Sequence, residues 1–350
     1  MRTAGRTRQL ARLLLAACLI ALACGCEYAR RVLGTDCRYL LTSFDALALP
    51  GETATVKVRV QEGTLLRDRA HVLVQFWDRD RCLGMTLTDH EGYAAIPFKP
   101  PAPGDYAFMA TVAPGWLQGT PPPPAQVLVA CREAAAPLAV IDLDKTIVAS
   151  DTRTVLEGNP APMPQSVEVL NRLARQYTIV YLTHRVDYIA PKTKVWLYEH
   201  GFPPGPLLAA TIRESLGDSG FFKSARLGPL RQKLSGRGFG VGDKPSDAAA
   251  YHGSGLQPFL LLSVDPRAGA RDLRKLANSL DALPDETQVV TGWHQIEDVL
   301  SGCASYPKLQ AQTDLHQRAA AMDHHAVTPP RKASADGASA TLGASCYESK

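Results

Sequence analysis

The sequence contains two short clusters of carboxylates, each placed soon after a hydrophobic stretch. Asp142 and Asp144 follow the run Leu138–Ile141, and Asp243 and Asp247 follow a second run one hundred positions on. Carboxylates in such a group can transfer protons, attack an electrophile or bind a hard cation through oxygen. Three or four of them at one place repel each other and any anionic substrate, so the chemistry needs a metal ion or basic side chains nearby.

The elements that would position these carboxylates form an alternating pattern. Short hydrophobic runs separated by helical stretches predict an α/β fold, with a parallel sheet covered by helices on both faces. We predict strands at Leu138–Ile141, Thr178–Leu182, Leu207–Ala210, Phe239–Val241 and Phe259–Val264, and a helix at Ser166–Arg175. Ligands bind beyond the carboxyl ends of the strands in such a sheet. We therefore expect both acidic clusters to meet there with Thr183-His184-Arg185, which follows the second strand.

The second acidic cluster also has a purely structural interpretation. Ser246 and Asp247 are good N-caps for a helix that follows a strand. Capping does not account for the Asp-x-Asp-x-Thr motif at 142–146, which ends a different strand. A shared site is the better interpretation of the two clusters together.

The ordered set of motifs resembles the haloacid dehalogenase superfamily of phosphohydrolases. The set comprises Asp-x-Asp-x-Thr after the first strand, a threonine after the second, a lysine about twenty positions before the last cluster, and Gly-Asp-x-x-x-Asp after the fourth strand. The resemblance implies a phosphomonoester hydrolase that works through an aspartyl-phosphate intermediate, with Mg²⁺ as its cofactor.

The resemblance also implies a role for each residue of the site. Asp142 would be the nucleophile, and Asp144 would be the general acid and then the base for the attacking water. Thr183 would hydrogen-bond a phosphoryl oxygen. The metal ligands would be Asp142, Asp144 through its backbone carbonyl, Asp243 and Asp247, the last in the inner or second shell of ligands.

Two lysines are candidates for the one that binds the phosphate. Lys223 lies at the start of the helix before the fourth strand, whereas Lys233 lies well inside that helix and closer to Asp243. We predict Lys223 and keep Lys233 as the alternative. His184 and Arg185 either contact the substrate or lie in a solvated loop.

The segments between the motifs are too short for a large cap domain. Only residues 147–164 and 186–222 are available, and the second stretch already holds a helix and a predicted strand. We therefore expect an open site. An open site favours a bulky substrate, such as a phospholipid head group, a phosphoprotein or a polymer end.

Within the superfamily, residues 138–300 resemble the lipin-type phosphatidate phosphatase domain. The matching segments are Asp142-Leu143-Asp144-Lys145-Thr146-Ile147, Ser150-Asp151, Gly205-Pro206-Leu207-Leu208 and Phe222-Lys223. There are two departures: Lys145 stands where that family usually has glycine, and Thr183-His184-Arg185 stands where it has a serine-centred motif. The resemblance implies a phosphatidate-like substrate.

A different pattern precedes this region. Between Tyr39 and Ala130 hydrophobic residues alternate with polar ones, as at Val56, Val58 and Val60, and Pro and Gly turn signals separate the runs. The pattern predicts an immunoglobulin-like β-sandwich, to which we assign no chemistry. The predicted domains are an export signal at 1–26, the sandwich at 38–131, the haloacid dehalogenase-like domain at 137–303 and a disordered tail at 304–350.

The N-terminus has the pattern of a bacterial lipoprotein signal. A basic segment is followed by an apolar run at 13–23, which is too short to span a bilayer, and by small residues before Cys24 and Cys26. We expect export to the periplasm or cell envelope, with Cys24 or Cys26 as the candidate lipid anchor to the membrane; an uncleaved anchor helix is the alternative. In an oxidising compartment a disulfide can form among the other cysteines of the mature chain. These are Cys37, Cys82, Cys131, Cys303 and Cys346.

The charge of the chain says nothing about an anionic partner. The 350 residues carry a formal charge of +4, but without Arg2, Arg6, Arg8 and Arg12 of the signal the basic residues equal the 34 acidic ones. No basic stripe interleaved with aromatic residues is present, so we expect no nucleic-acid binding. The leading hypothesis is a Mg²⁺-dependent phosphatase for a phosphorylated substrate, with phosphatidate as first choice. The alternatives are a broad periplasmic acid phosphatase or nucleotidase, and a non-catalytic binding protein with the same fold.

Overall fold

The computed structural model of the chain describes residues 38–63, 65–150 and 158–327. The predicted export signal with its two candidate anchor cysteines, Cys37, and residues 328–350 with Cys346 lie outside these ranges. Within them, Cys82, Cys131 and Cys303 are free thiols. No helix in the same ranges combines the length and the hydropathy needed to cross a membrane.

The first module is an all-β sandwich, as the alternating pattern predicts. Its strands are β1 Tyr39–Phe44, β2 Ala46–Ala48, β3 Ala54–Glu62, β4 Arg67–Asp68, β5 Leu73–Asp78, β6 Arg81–Leu87, β7 Tyr93–Phe98, β8 Gly104–Val112 and β9 Ala125–Cys131. In one sheet β3 pairs with β1, β4 and β7, and the other sheet has the order β2-β9-β8-β5-β6. Val56, Val58 and Val60 are fully buried between the sheets, together with Phe76 and Val127. The period of two thus places one face of each strand in the core.

The second module contains a six-stranded parallel sheet. Its strands are β10 Leu138–Ile141, β11 Thr178–Val186, β12 Leu207–Ala210, β13 Gly238–Gly242, β14 Gln257–Leu261 and β15 Gln288–Val290. The helices are α1 Ser166–Leu173, α2 Ala190–Glu199, α3 Ile212–Ser215, α4 Ser219–Lys233, α5 Pro245–Gly253, α6 Ala270–Ser279, α7 Trp293–Leu300 and α8 Lys308–Val327, with 3₁₀ turns at Asp187–Ile189 and Leu280–Ala282. The strand order is β12-β11-β10-β13-β14-β15.

Helices cover both faces of this sheet because successive residues of each strand point to opposite sides. Ile141 of β10 packs in a cluster with Leu170 of α1 and Trp293 of α7, whereas Val140 packs on the other side with Phe222 of α4. The α/β fold with a preceding β-sandwich is therefore the fold class that the sequence predicts. From the central β10 the chain moves outward on one side and, from β13, outward on the other, which opens a crevice at the carboxyl ends of these two strands.

Three differences from the sequence-based expectation are informative. Strand β11 continues to Val186, so Thr183-His184-Arg185 lies inside the strand instead of after it. Strand β15, only three residues long, was not predicted. The predicted tail from 304 is wrong at its start, because α8 spans Lys308–Val327. Its Leu315 and Ala319 are buried against α6, but other apolar residues of the helix, such as Leu309 and Met322, are exposed, so the sequence gives no clear apolar period.

The two modules are joined by a buried polar contact at Asp45, whose side chain is only 2% exposed. Its Oδ1 accepts hydrogen bonds from Lys194 Nζ at 2.6 Å and from Leu128 N at 2.7 Å. Its Oδ2 accepts one from Leu207 N of β12 at 3.0 Å. Next to it, Leu47 of the sandwich packs into the core of the second module. The contact combines a satisfied buried charge with apolar packing.

Candidate active site

Three acidic side chains meet at the crevice between β10 and β13. Asp142 follows β10, Asp243 follows β13, and Asp247 lies in the first turn of α5. One carboxylate oxygen from each lies within 4.8 Å of the others. Asp142 and Asp247 are buried and Asp243 is partly buried. The structure thus brings together three of the four predicted metal-binding residues.

Lys223 lies in the centre of this acidic cluster. Its Nζ is 2.8 Å from Asp142 Oδ1 and 2.7 Å from Asp247 Oδ1, and the side chain is 1% exposed. Lys233, the alternative, is elsewhere: its Nζ pairs with Glu52 Oε1 of the sandwich at 2.5 Å. The geometry therefore favours Lys223 as the lysine of the site.

The ionisation of the cluster is controlled by burial and by neighbouring charges. Burial raises the pKa of Asp142 to about 7, and although Lys223 opposes this effect, Asp247 adds to it. Burial and Asp247 likewise raise the pKa of Asp243. Burial alone would lower the pKa of Lys223, but the carboxylates, chiefly Asp142, hold it above its ordinary value. One lysine does not balance three carboxylates, so a further cation would stabilise the ionised cluster.

The donor atoms of the cluster fit Mg²⁺. Asp243 Oδ1 and Asp247 Oδ2 are buried and accept no hydrogen bond within the described residues. Such unsatisfied carboxylate oxygens are the ligands that a hard divalent cation takes. The side chain of Asp144 is not part of this group. Metal binding through its backbone carbonyl remains a prediction.

Asp144 is instead paired with Arg185. The guanidinium donates from Nε to Asp144 Oδ2 at 3.0 Å and from Nη2 to Oδ1 at 2.6 Å, and its Nη1 donates to Thr193 Oγ1 at 3.2 Å. Arg185 is 4% exposed, so the solvated-loop interpretation of this residue is wrong. The reason is the extra length of β11, which carries Arg185 into the module before the chain turns into the 3₁₀ segment.

Thr183 and His184 occupy the same strand end. Thr183 is 1% exposed, and its Oγ1 accepts a hydrogen bond from Arg185 N at 3.2 Å. His184 Nε2 donates to the carbonyl of Glu214 at 3.0 Å, and its ring lies 5.4 Å from that of Phe222. Thr183 is therefore held within its own strand, whereas His184 contacts the segment at Glu214 and helix α4.

A pocket of about 200 Å³ opens onto the cluster. It is lined by Asp142, Asp144, Lys145, His184, Arg185, Ser219, Asp243 and Lys244. Lys145 has φ of 57°, a left-handed conformation that glycine adopts without strain. This conformation explains why glycine suits the position. Three basic and three acidic side chains line the pocket, so a bound cation at the carboxylates would favour the binding of an anion.

Ser219 is a pocket residue that sequence reasoning missed. It is the first residue of α4, and its Oγ is buried with no hydrogen-bond partner in the described part of the chain. Lys223 lies four residues later, which places both side chains on one face of the helix. That spacing is the signal that would have identified Ser219.

The capping interpretation of Asp247 is contradicted. Helix α5 begins with Pro245 after Lys244, and no side chain caps its N-terminus. Asp247 is the third residue of the helix and is fully buried beside Lys223. Gly242 makes room for it, because a Cβ at that position would lie 2.5 Å from Asp247 Oδ2.

A family comparison matches the part of the chain that contains this site. The family model of the LNS2 domain of PITM 1-3 matches residues 139–260, which include Asp142, Thr183, Lys223, Asp243 and Asp247. The LNS2 domain is lipin-like, and the match shows that this part of the chain is similar to it. No curated protein matches the chain.

Several solved structures are similar to the sandwich at low sequence identity. A D00-D0 domain structure of intimin is 18% identical with a TM-score of 0.22, and the match covers 28% of this chain and 50% of that one. The CARDB domain of a Pyrococcus furiosus protein is 14% identical with a TM-score of 0.20, covering 27% and 85%. The titin M3 domain is 10% identical with a TM-score of 0.21, covering 27% and 98%. The chain thus spans half the length of the intimin structure.

Proposed function

We propose that the second module is a Mg²⁺-dependent phosphomonoester hydrolase in which Asp142 forms an aspartyl-phosphate. The observation that carries the proposal is the buried Asp142 carboxylate, which contacts Lys223 at 2.8 Å and shares a 4.8 Å cluster with Asp243 and Asp247. A buried carboxylate that lines the pocket and contacts a lysine is placed to attack phosphorus.

In the first half of the proposed reaction, Asp142 attacks the phosphorus atom and the alcohol leaves. Lys223 would balance the charge of Asp142 and hold a phosphoryl oxygen, and Thr183 would donate a hydrogen bond to another. Mg²⁺, held by Asp142, Asp243 and Asp247, would supply charge stabilisation to the phosphoryl oxygens when bound.

Asp144 would handle the protons of both halves. It would protonate the leaving oxygen first, and in the second half it would take a proton from the water that attacks the aspartyl-phosphate. Its pairing with Arg185 orients the carboxylate at the pocket wall. The guanidinium would have to loosen one of its two hydrogen bonds before Asp144 gives up a proton.

A bulky substrate with an exposed phosphomonoester, such as phosphatidate, fits the proposal best. The pocket accommodates little more than a phosphate group, so the remainder of the substrate would lie outside it. The proposal includes export and a lipid anchor at Cys24 or Cys26, which would keep the site close to a membrane. A broad acid phosphatase or nucleotidase would hydrolyse soluble monoesters as readily as lipid.

The Asp144–Arg185 pair supports a second candidate function, the binding of a phosphorylated ligand without turnover. A carboxylate engaged by two guanidinium donors is well placed to organise a binding pocket and poorly placed to donate a proton. The same acidic cluster would then hold Mg²⁺ for ligand binding alone.

Phosphate release separates these candidates. The parent and Asp142→Asn would be assayed on phosphatidate vesicles and on soluble phosphomonoesters, each with Mg²⁺ and with a chelator. The expected result is Mg²⁺-dependent release by the parent, fastest on vesicles, and none by Asp142→Asn. Equal activity of the two proteins excludes the proposed nucleophile, and inactivity of a folded parent that still binds vesicles favours the binding function.

A further inference from the structure

A cleft between the sandwich and the second module lies apart from the active-site pocket. Its volume is about 440 Å³, and its walls come from β1, β2, β3 and β7 on one side and from β12 and α4 on the other. It shares no lining residue with the pocket at Asp142. A ligand in this cleft would therefore contact both modules without meeting the reacting groups.

Lys57 of β3 supplies an unpaired positive charge to the cleft. Its Nζ lies 4.8 Å from the ring centroid of Phe44 and 4.7 Å from that of Tyr93. Within the described residues the ammonium forms no ion pair and donates no hydrogen bond. Burial lowers the pKa of Lys57, and the charge of Arg226 lowers it further, an effect that Asp187 and Asp89 oppose. The aromatic faces stabilise the cation but accept no conventional hydrogen bond, so its three donors stay available to a ligand.

Arg226 of α4 faces Lys57 from the other wall. Its Nη2 donates to both carboxylate oxygens of Glu214 at 2.9 Å. Its Nε is buried and has no acceptor in the described part of the chain. Glu214 is thus already engaged by Arg226, while Lys57 and the Nε of Arg226 come from different modules and line the same cleft. A buried donor such as Arg226 Nε costs free energy unless an acceptor reaches it.

We propose that this cleft binds a phosphate group between Lys57 of the sandwich and Arg226 of α4. A phosphate offers only acceptor oxygens, which suits an ammonium and the free edge of a guanidinium. The rings of Phe44 and Tyr93 would border the apolar part of the same molecule. The phosphate belongs either to a small soluble phosphate or to a phospholipid head group.

The site would connect the sandwich to α4, the helix that carries Lys223. Arg226 lies three residues after Lys223 on α4, and its guanidinium carbon is 5.5 Å from the ring of Phe222, which in turn contacts His184 of the active-site pocket. A phosphate that bridges Lys57 and Arg226 would fix α4 against the sandwich. The binding itself does not depend on the proposed hydrolysis.

Calorimetric titration of inorganic phosphate into the full chain tests the soluble form. Mg²⁺ is left out, so that the acidic cluster of the active site repels the anion. Saturable binding is expected, and Lys57→Met should weaken it about tenfold or more, because methionine keeps a chain over the rings but removes the charge. Lys57→Arg should retain most of the affinity. The control is Lys99→Met, which removes an exposed lysine of the same module and should leave the affinity unchanged.

Cosedimentation with phosphatidylcholine vesicles, with and without phosphatidylglycerol, tests the head-group form. Loss of anionic-vesicle binding in Lys57→Met but not in Lys99→Met assigns the site to a phospholipid, and an effect confined to the calorimetry assigns it to a soluble phosphate. If neither phosphate nor vesicle binding responds to Lys57→Met, while its unfolding midpoint equals that of the parent, the proposal is overturned.

Discussion

Arg185 donates two parallel hydrogen bonds to Asp144, from Nε to Oδ2 at 3.0 Å and from Nη2 to Oδ1 at 2.6 Å. A third donor of the same guanidinium, Nη1, bonds to Thr193. This fork-to-carboxylate geometry fixes the second aspartate of the motif more firmly than a single hydrogen bond would. It also makes Arg185, which sequence reasoning left undecided, a residue on which the position of Asp144 depends.

Replacing Arg185 is expected to lower turnover. Arg185→Met removes both charge-assisted hydrogen bonds, and a loss of about 1.5–3 kcal/mol corresponds to a fall of about 10- to 100-fold in kcat. Arg185→Lys should recover little, because an ammonium cannot reproduce the planar fork. Steady-state kinetics with the best substrate provides the measurement. Arg213→Met, which removes an exposed arginine nearby on α3, is the matched control, and parental kcat in Arg185→Met would contradict the positioning role.

Lys223→Met is expected to destabilise the fold as well as abolish phosphate release. The change leaves Asp142 and Asp247 buried without their common partner, and breaking a buried pair in this way costs about 3–5 kcal/mol. Mg²⁺ should restore part of the loss because it occupies the same carboxylates. Urea unfolding with and without Mg²⁺ measures both effects. Lys275→Met, at an exposed site on α6, should change neither, and equal stability of Lys223→Met and the parent would argue against the buried cluster.

Gly242→Ala is expected to damage the metal site through sterics alone. The added Cβ would lie 2.5 Å from Asp247 Oδ2, so the aspartate or the strand has to move, at a cost of about 1–3 kcal/mol. Mg²⁺ affinity, measured by calorimetry, should fall along with stability. Gly253→Ala at the end of α5, where a Cβ meets nothing within 4 Å, is the control. Unchanged Mg²⁺ affinity in Gly242→Ala would show that Asp247 is not needed for the ion.

The metal-free protein is expected to lose stability as the pH rises from 6 to 8. Burial raises the pKa of Asp142 to about 7. A carboxyl whose pKa is higher in the folded state binds its proton more tightly there, so its contribution is present at low pH and is lost as the pH passes the folded value, by about 1 kcal/mol over this interval. Asp142→Asn should show a flatter profile in urea unfolding. A parent and variant with parallel profiles would contradict the raised pKa of Asp142.

Much of the second module could be predicted because its signals are local. The strand before Asp142 is an uninterrupted hydrophobic run, and the strand before Asp243 has Phe239 and Val241 between glycines. The rule that ligands gather at the carboxyl ends of parallel strands then brings the aspartates together without any knowledge of tertiary contacts. Lys223 was identified through the resemblance and its place at the start of a helix. Its contacts with Asp142 and Asp247 depend on how α4 packs, which no local pattern specifies.

Most of the features that escaped prediction depend on long-range packing. Arg185 is buried because β11 extends further than its hydrophobic run. The capping alternative for Asp247, which the sequence already disfavoured, is excluded by the contact of that side chain with Lys223. Helix α8 has only a narrow apolar stripe, centred on Leu315 and Ala319. The stripe is recognisable only from its packing against α6. Ser219 could have been found from its spacing to Lys223, which is a local signal.

The buried Asp45 has a consequence for the order in which the chain matures. Two of its three donors come from Lys194 and Leu207, which lie 149 and 162 positions further along the chain. During synthesis the sandwich therefore emerges from the ribosome before the groups that complete its docking face exist. Until then Asp45 has only Leu128 N of the sandwich and water as partners, and Leu47 stays uncovered. A nascent chain stopped before Lys194 would contain a folded first module whose docking face at Asp45 and Leu47 is solvated and partly apolar. Chaperones and proteases recognise surfaces of this kind.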